Sequence, residues 1–132
     1  MRQLNLVLRP LITLPGVPPS SNTIYTGMFW RKRAKIAEDW HMLVLQAVKF
    51  QEPLISPVAL SITLCFGKGN KIHPVRRYDA SNASFALKLI EDGLVAAKVL
   101  KGDGSKHVGL VLLSCRRSED GVSRTIVEYA EV

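Results

Sequence analysis

Cysteine is scarce in this chain: two residues in 132, Cys65 and Cys115, each set inside an apolar, strand-like run. A disulfide scaffold needs more, and buried, reduced thiols in a cytoplasmic protein account for both. Neither cysteine nor any of the three histidines (His41, His73, His107) stands at metal-ligand spacing, which excludes a Cys/His zinc site. His73 alone lies amid positive charge, where it can touch phosphate. Long apolar runs are also missing; none approaches the roughly 20 residues that span a bilayer. The opening MRQLNLVLRPLITL is interrupted by Gln3, Asn5, Arg9 and Pro10 and lacks a small-residue cleavage site, so no signal peptide and no membrane partner are expected. There is no internal repeat, low-complexity tract or long linker. Acidic residues are few, 11 against 18 Lys and Arg, and the resulting +7 favours polyanionic partners such as nucleic acid.

What is present is a chain rich enough in apolar residues, 47%, to build one core, so residues 1–132 are read as a single domain. Residues 3–14 read as an extended segment bent at Pro10. The stretch 15–22, PGVPPSSN, reads as a rigid loop because three prolines fix φ and withhold backbone donors. A helix is expected over 30–49, with Trp30, Ala34, Ala37, Trp40, Val44, Ala47 and Val48 on one side. On that basis Trp30 and Trp40 are assigned to core packing rather than base stacking. Residues 58–66 alternate as a strand with one buried face, Val58, Leu60, Ile62, Leu64 and Phe66. A second helix is expected over about 81–97. The run from Val108 to Cys115, apolar on both faces, reads as a central strand. A Glu119-Asp120-Gly121 turn joins it to a strand over 123–130 in an antiparallel hairpin. The order β-α-β-α-β-β predicts an α+β fold: one mixed sheet with two helices packed on it.

Chemistry concentrates between Arg76 and Val108. Asp79 stands at the mouth of the second helix, Lys88 and Asp92 share its polar face at i and i+4, and Asp103 follows it between Gly102 and Gly104. Each has a plain structural use. Asp79, Ser81 and Asn82 are good helix caps, Lys88–Asp92 is a solvated ion pair, and Asp103 suits a turn. Together, beside an acid-free basic loop (Lys68, Lys71, Arg76, Arg77), they are also the parts of a metal-assisted phosphodiesterase. Magnesium takes a few carboxylates plus water and phosphate oxygens, and it activates bound water. In that reading Asp79 and Asp103 are metal ligands, Lys88 stabilises charge developing on phosphate, and Asp92 orients Lys88 or the metal. A second basic cluster, Arg31, Lys32, Arg33 and Lys35, opens the first helix, where the macrodipole is already positive. Each such cation costs roughly 0.3–1 kcal/mol, so a phosphate partner explains the placement better than solubility does.

The Pro18-Pro19-Ser20-Ser21-Asn22 loop with Tyr25, followed by Asp79, Asn82, Lys88, Asp92 and Asp103 in that order, resembles the RusA-like Holliday-junction resolvases. The Gly-Leu-Val after Asp92 looks like that family's helix end, and the similarity spans roughly residues 13–115. The resemblance implies a homodimeric, magnesium-dependent endonuclease, with manganese as a substitute and no small-molecule cofactor, often carried by phages. It would nick two opposed strands of a four-way DNA junction symmetrically, which a two-fold dimer suits. It carries Asp79 and Asp103 over as metal-binding aspartates, Lys88 as the essential lysine, and Asn22 and Asn82 as polar residues close by. Two positions depart from the pattern: Ser81 and Gly102 stand where many members carry acids, and Glu91 is the available substitute. The loss of two charges also motivates a second reading, a branched-DNA-binding protein that does not cut. A third, an RNA-binding α+β domain, would call for exposed aromatics on the sheet.

Overall fold

The computed structural model describes residues 7–49, 51–55, 57–68, 77–102 and 104–131. It is the expected α+β domain, a four-stranded mixed sheet with helices on one face. In chain order the elements are β1 (Arg9–Pro15), α1 (Ser21–Tyr25), α2 (Trp30–Ala47), β2 (Val58–Phe66), a single 3₁₀ turn (Ala80–Asn82), α3 (Ser84–Ala96), β3 (Val108–Arg117) and β4 (Arg124–Glu131). The short α1 is an addition to the sequence reading, which took this region as loop up to residue 22. Its cap is local, because Ser20 Oγ accepts from the Thr23 amide at 3.1 Å.

Strand order is β1-β4-β2-β3, with β2 and β3 parallel and the other two pairs antiparallel. This corrects the expected hairpin. β3 and β4 do not pair; they flank β2 on opposite sides. The connection between them, residues 118–123, is long enough to step over the end of β2 rather than fold back on its neighbour. Two strand spacings amount to roughly 10 Å, within reach of six residues. The crossing is fastened by Ser118 N–H to Phe66 O, Lys68 N–H to Gly121 O, and Gly67 N–H to Ser123 Oγ, at 2.8–3.0 Å.

A second correction follows. The strand buried on both faces is β2, not β3, which lies at the sheet edge with Leu112, Ser114 and Arg116 exposed. Val58, Leu60, Ile62, Leu64 and Phe66 pack under the helices with Val44, Ala86, Ile90 and Leu94. The opposite face of β2 carries small residues, Ala59, Ser61, Thr63 and Cys65. No described helix covers that face, and the longer neighbours Leu110, Leu112, Ile126 and Arg116 lean over it by register.

The first turn of α2 overhangs the sheet. Trp30 falls on the inward side by angle, yet it lies outside the core and stays exposed, whereas Trp40, Leu43, Val44 and Val48 reach the core. The core assignment therefore holds for Trp40 and fails for Trp30. Gly93 lies inside α3 rather than at its end, where a Cβ would stand 3.0 Å from Val44. It is a point of close approach between α2 and α3. α3 ends three residues later in a Schellman motif: Val99 N–H bonds Leu94 O, Lys98 N–H bonds Val95 O, and Lys98 takes φ 62°. Val99 O then accepts from Leu54 N–H at 2.8 Å, which ties the end of α3 to the approach to β2. Among the described residues no helix is long and apolar enough to cross a membrane.

Gly67 has no room for a side chain, since a Cβ would run into the Gly121 carbonyl and lie 2.6 Å from Ser123 N. Gly67→Ala is expected to destabilise the fold by about 1–3 kcal/mol by prying the crossing loop from β2. Chemical denaturation checks this; an unchanged midpoint would show the loop to be free to shift.

Candidate nucleic-acid interface

The parallel pair brings the C-terminal ends of β2 and β3 to the same side of the sheet. In open sheets that is where a crevice forms and ligands collect. Two adjoining grooves lie there. One, of about 610 Å³, is lined by Phe66, Gly67, Lys68, Arg77, Arg117 and the crossing loop Ser118–Gly121. The other, of about 500 Å³, is lined by Val17–Ser20, Asn22, Thr23, Phe66, Arg77, Tyr78 and Asn82. Phe66 and Arg77 belong to both, so the two form one continuous trough.

Tyr78 fixes the trough's central segment. Its ring packs edge-on against Phe66 with centroids 4.9 Å apart, and its hydroxyl donates to Pro18 O at 2.6 Å. Burial, with a smaller contribution from Cys115, pushes its pKa well above the ordinary phenol value. Tyr78 is thus a neutral anchor, and its neighbours Arg77 and Asp79 are held on either side of it. Burial also raises the Cys115 thiol, opposed by Arg77 and reinforced by Asp79, so this cysteine is no thiolate nucleophile.

The Pro-rich loop and α1 meet the start of α3 here. The first turn of α3 has no capping side chain of its own. Ser21 supplies one from a distance, its Oγ accepting from Phe85 N–H at 3.0 Å and lying 2.7 Å from Ser84 Oγ. Asp79 makes no side-chain capping bond; only its carbonyl is used, accepting from Asn82 N–H at 2.8 Å. The expected cap role therefore falls to Ser21, and Asp79 is exposed.

The crossing loop is held by Asp120, which accepts from Ser118 Oγ (2.6 Å) and Val122 N–H (3.0 Å) and pairs with Arg124. Hydrogen bonds from Ser118 and Arg124, then from the Val122 amide, keep its carboxyl well below the usual range. A depressed carboxyl stabilises the fold above its unfolded pKa and loses that contribution only as pH falls into the acid range. At neutral pH this wall of the trough is intact.

Of the residues singled out in the sequence, Asn22, Arg77 and Asn82 come together in one groove, and Lys68 joins Arg77 in the next. Lys71, Arg76, His73 and Asp103 lie outside the described residues. Lys88 and Asp92 form the expected i,i+4 ion pair, at 3.2 Å, with the lysine side chain 59% exposed. Arg31, Lys32, Arg33 and Lys35 lie on α2, where Lys35 pairs with Asp39 at 2.9 Å, which reinforces the lysine's charge. Sequence reasoning missed Arg117, the crossing loop and the Tyr78 anchor. The basic pair Arg116-Arg117 was a visible signal, but its relevance depends on the β2–β3 pairing.

Gly104 O accepts from His107 and Val108 N–H at the start of β3, and Gly102 packs against the His107 ring. The 3₁₀ turn that follows Asp79 packs against β3. Among the described residues, which do not include Asp103, no three Asp, Glu, His or Cys side chains gather as a metal site.

No protein-family model matches this chain, and no curated protein is significantly similar to it.

Tyr78→Phe should keep the Phe66 contact and leave the buried Pro18 carbonyl without its donor. The expected loss is about 1 kcal/mol of stability, read by urea denaturation. No change would mean that the hydroxyl does not anchor the trough.

Proposed function

We propose that this chain is a metal-dependent, structure-selective endodeoxyribonuclease of the RusA-like kind. It acts in the cytoplasm as a homodimer that resolves four-way DNA junctions by paired symmetric nicks, in recombination and repair of phage or host DNA. The observation that carries the reading is the trough, where Asn22, Arg77 and Asn82 line one groove and Lys68, Arg77 and Arg117 the next, with Asp79 exposed two residues along the chain from Arg77. Lys68, Arg77 and Arg117 have no salt bridge among the described residues, so their charge is available to phosphate. Asn22 and Asn82 offer neutral donors and acceptors to the strand beside Asp79. Lys88, further along α3, is the family's stabiliser of phosphate charge, and Asp92 positions it.

The magnesium requirement is met in this reading by Asp79 and Asp103 as ligands. A two-fold axis produces two such sites at once, as two equivalent strands require. The uncovered sheet face, with Leu110, Leu112 and Ile126 on it, supports a dimer by offering apolar area that no described helix uses. The second reading, a junction-binding protein that does not cut, draws on Ser81 and Gly102 standing in place of acids and on the pairing of Lys88 with Asp92. Incubation with a four-way junction and a linear duplex, with and without magnesium, separates the two. Equal affinity for both substrates and no product would sink both.

Asp79→Asn is expected to abolish nicking while keeping or tightening junction binding in a gel shift, because a negative charge near phosphate is removed. Nicking at the native rate would take Asp79 out of the chemistry. Asp103→Asn should likewise abolish nicking, and nicking at the native rate in that variant would take Asp103 out of the metal site.

A further inference from the structure

The chain has nine Phe, Trp and Tyr residues, and three of the described ones keep more than half of their surface in water: Tyr25 (63%), Phe29 (61%) and Trp30 (57%). All three fall within one six-residue stretch linking α1 to α2. Single exposed aromatics are ordinary, but a cluster marks a surface that meets something. The rings are also arranged. Phe29 and Trp30 lie 5.9 Å apart at 45°, and the Arg31 guanidinium sits 5.3 Å from the Trp30 ring centre. Tyr25 touches Phe85 edge-on at 6.1 Å, which joins the cluster to the start of α3 and so to the trough.

Charge around the rings has one sign. Arg31, Lys32 and Arg33 follow directly, without a salt bridge among the described residues, and no acid occupies the first turn of α2. Open π-faces beside unpaired guanidinium and ammonium groups suit a ligand with flat rings on an anionic backbone. We propose that Phe29, Trp30 and Arg31 form a stacking platform for unpaired bases of single-stranded nucleic acid, with Lys32 and Arg33 on its phosphates. A duplex hides its base faces in its own stack and would use the cations alone. A membrane surface fits less well, because an interfacial helix presents a continuous apolar face and the outer side of α2 is interrupted by Lys35, Glu38 and Asp39. The platform stands apart from the cleavage reading, since it requires no metal and no cut.

The test uses the full chain, a labelled oligothymidylate of about 20 nucleotides, and a hairpin duplex of similar length at low salt. Tryptophan emission should be quenched by the oligothymidylate in the native chain and quenched less in Trp30→Ala. Trp30→Ala and Phe29→Ala should each weaken oligothymidylate binding about 10-fold, leave duplex binding and melting temperature unchanged, and be largely rescued by Trp30→Phe at the first position. Native affinity in Trp30→Ala, or an equal loss for single strand and duplex, would overturn the platform. So would Trp30-dependent binding to phosphatidylglycerol vesicles without binding to the oligonucleotide. A chain that cuts no junction but shows the Trp30 dependence would remove the proposed reaction and leave the platform standing.

Discussion

The parallel pairing of β2 with β3 is the constraint on which the rest of this structure depends. Two parallel neighbours need a crossover, and α3 provides it by running back along the sheet. Its start, with Asp79 and Asn82, is thereby placed at the C-terminal ends of both strands. Its Schellman end, with Gly102 and Gly104 beyond, is placed at their beginnings. One pairing thus builds a basic trough at one end of the sheet and carries the flanks of Asp103 to the other.

Around that frame the trough is assembled from distant segments by a few neutral contacts. Tyr78 joins the basic loop to Pro18, Ser21 caps α3 from α1, and Gly67 lets the crossing loop lie directly on the end of β2. None of these groups carries charge, so they position Arg77, Asn22, Lys68 and Arg117 without neutralising them. The exposed rings of Tyr25, Phe29 and Trp30 extend the same surface toward α2. A strand crossing from the trough to α2 would meet cations first and then aromatic faces, an arrangement suited to nucleic acid that is partly unpaired.

Local patterns in the chain were informative wherever one element decides its own geometry. The alternation of Val58 through Phe66 marked β2 with its observed bounds, and the apolar arc from Ala86 to Leu94 marked the buried side of α3. The Lys88–Asp92 pair follows from helical spacing alone. Reading failed where the answer lay in a partner. Trp30 has the inward angle but lies outside the core, and the apolar run of β3 looked central although the strand sits at the edge.

The sequence by itself determined an α+β domain with a basic surface, a proline-stiffened N-terminal loop and a helix flanked by aspartates. Periodicity, charge and φ restriction are local properties that act through neighbouring residues. Tertiary structure alone decided that β4 inserts between β1 and β2, that Arg77 meets Arg117, and that the ends of α3 stand a strand's length apart. Those outcomes depend on which strand hydrogen-bonds to which, and backbone donors and acceptors are identical at every position of the chain.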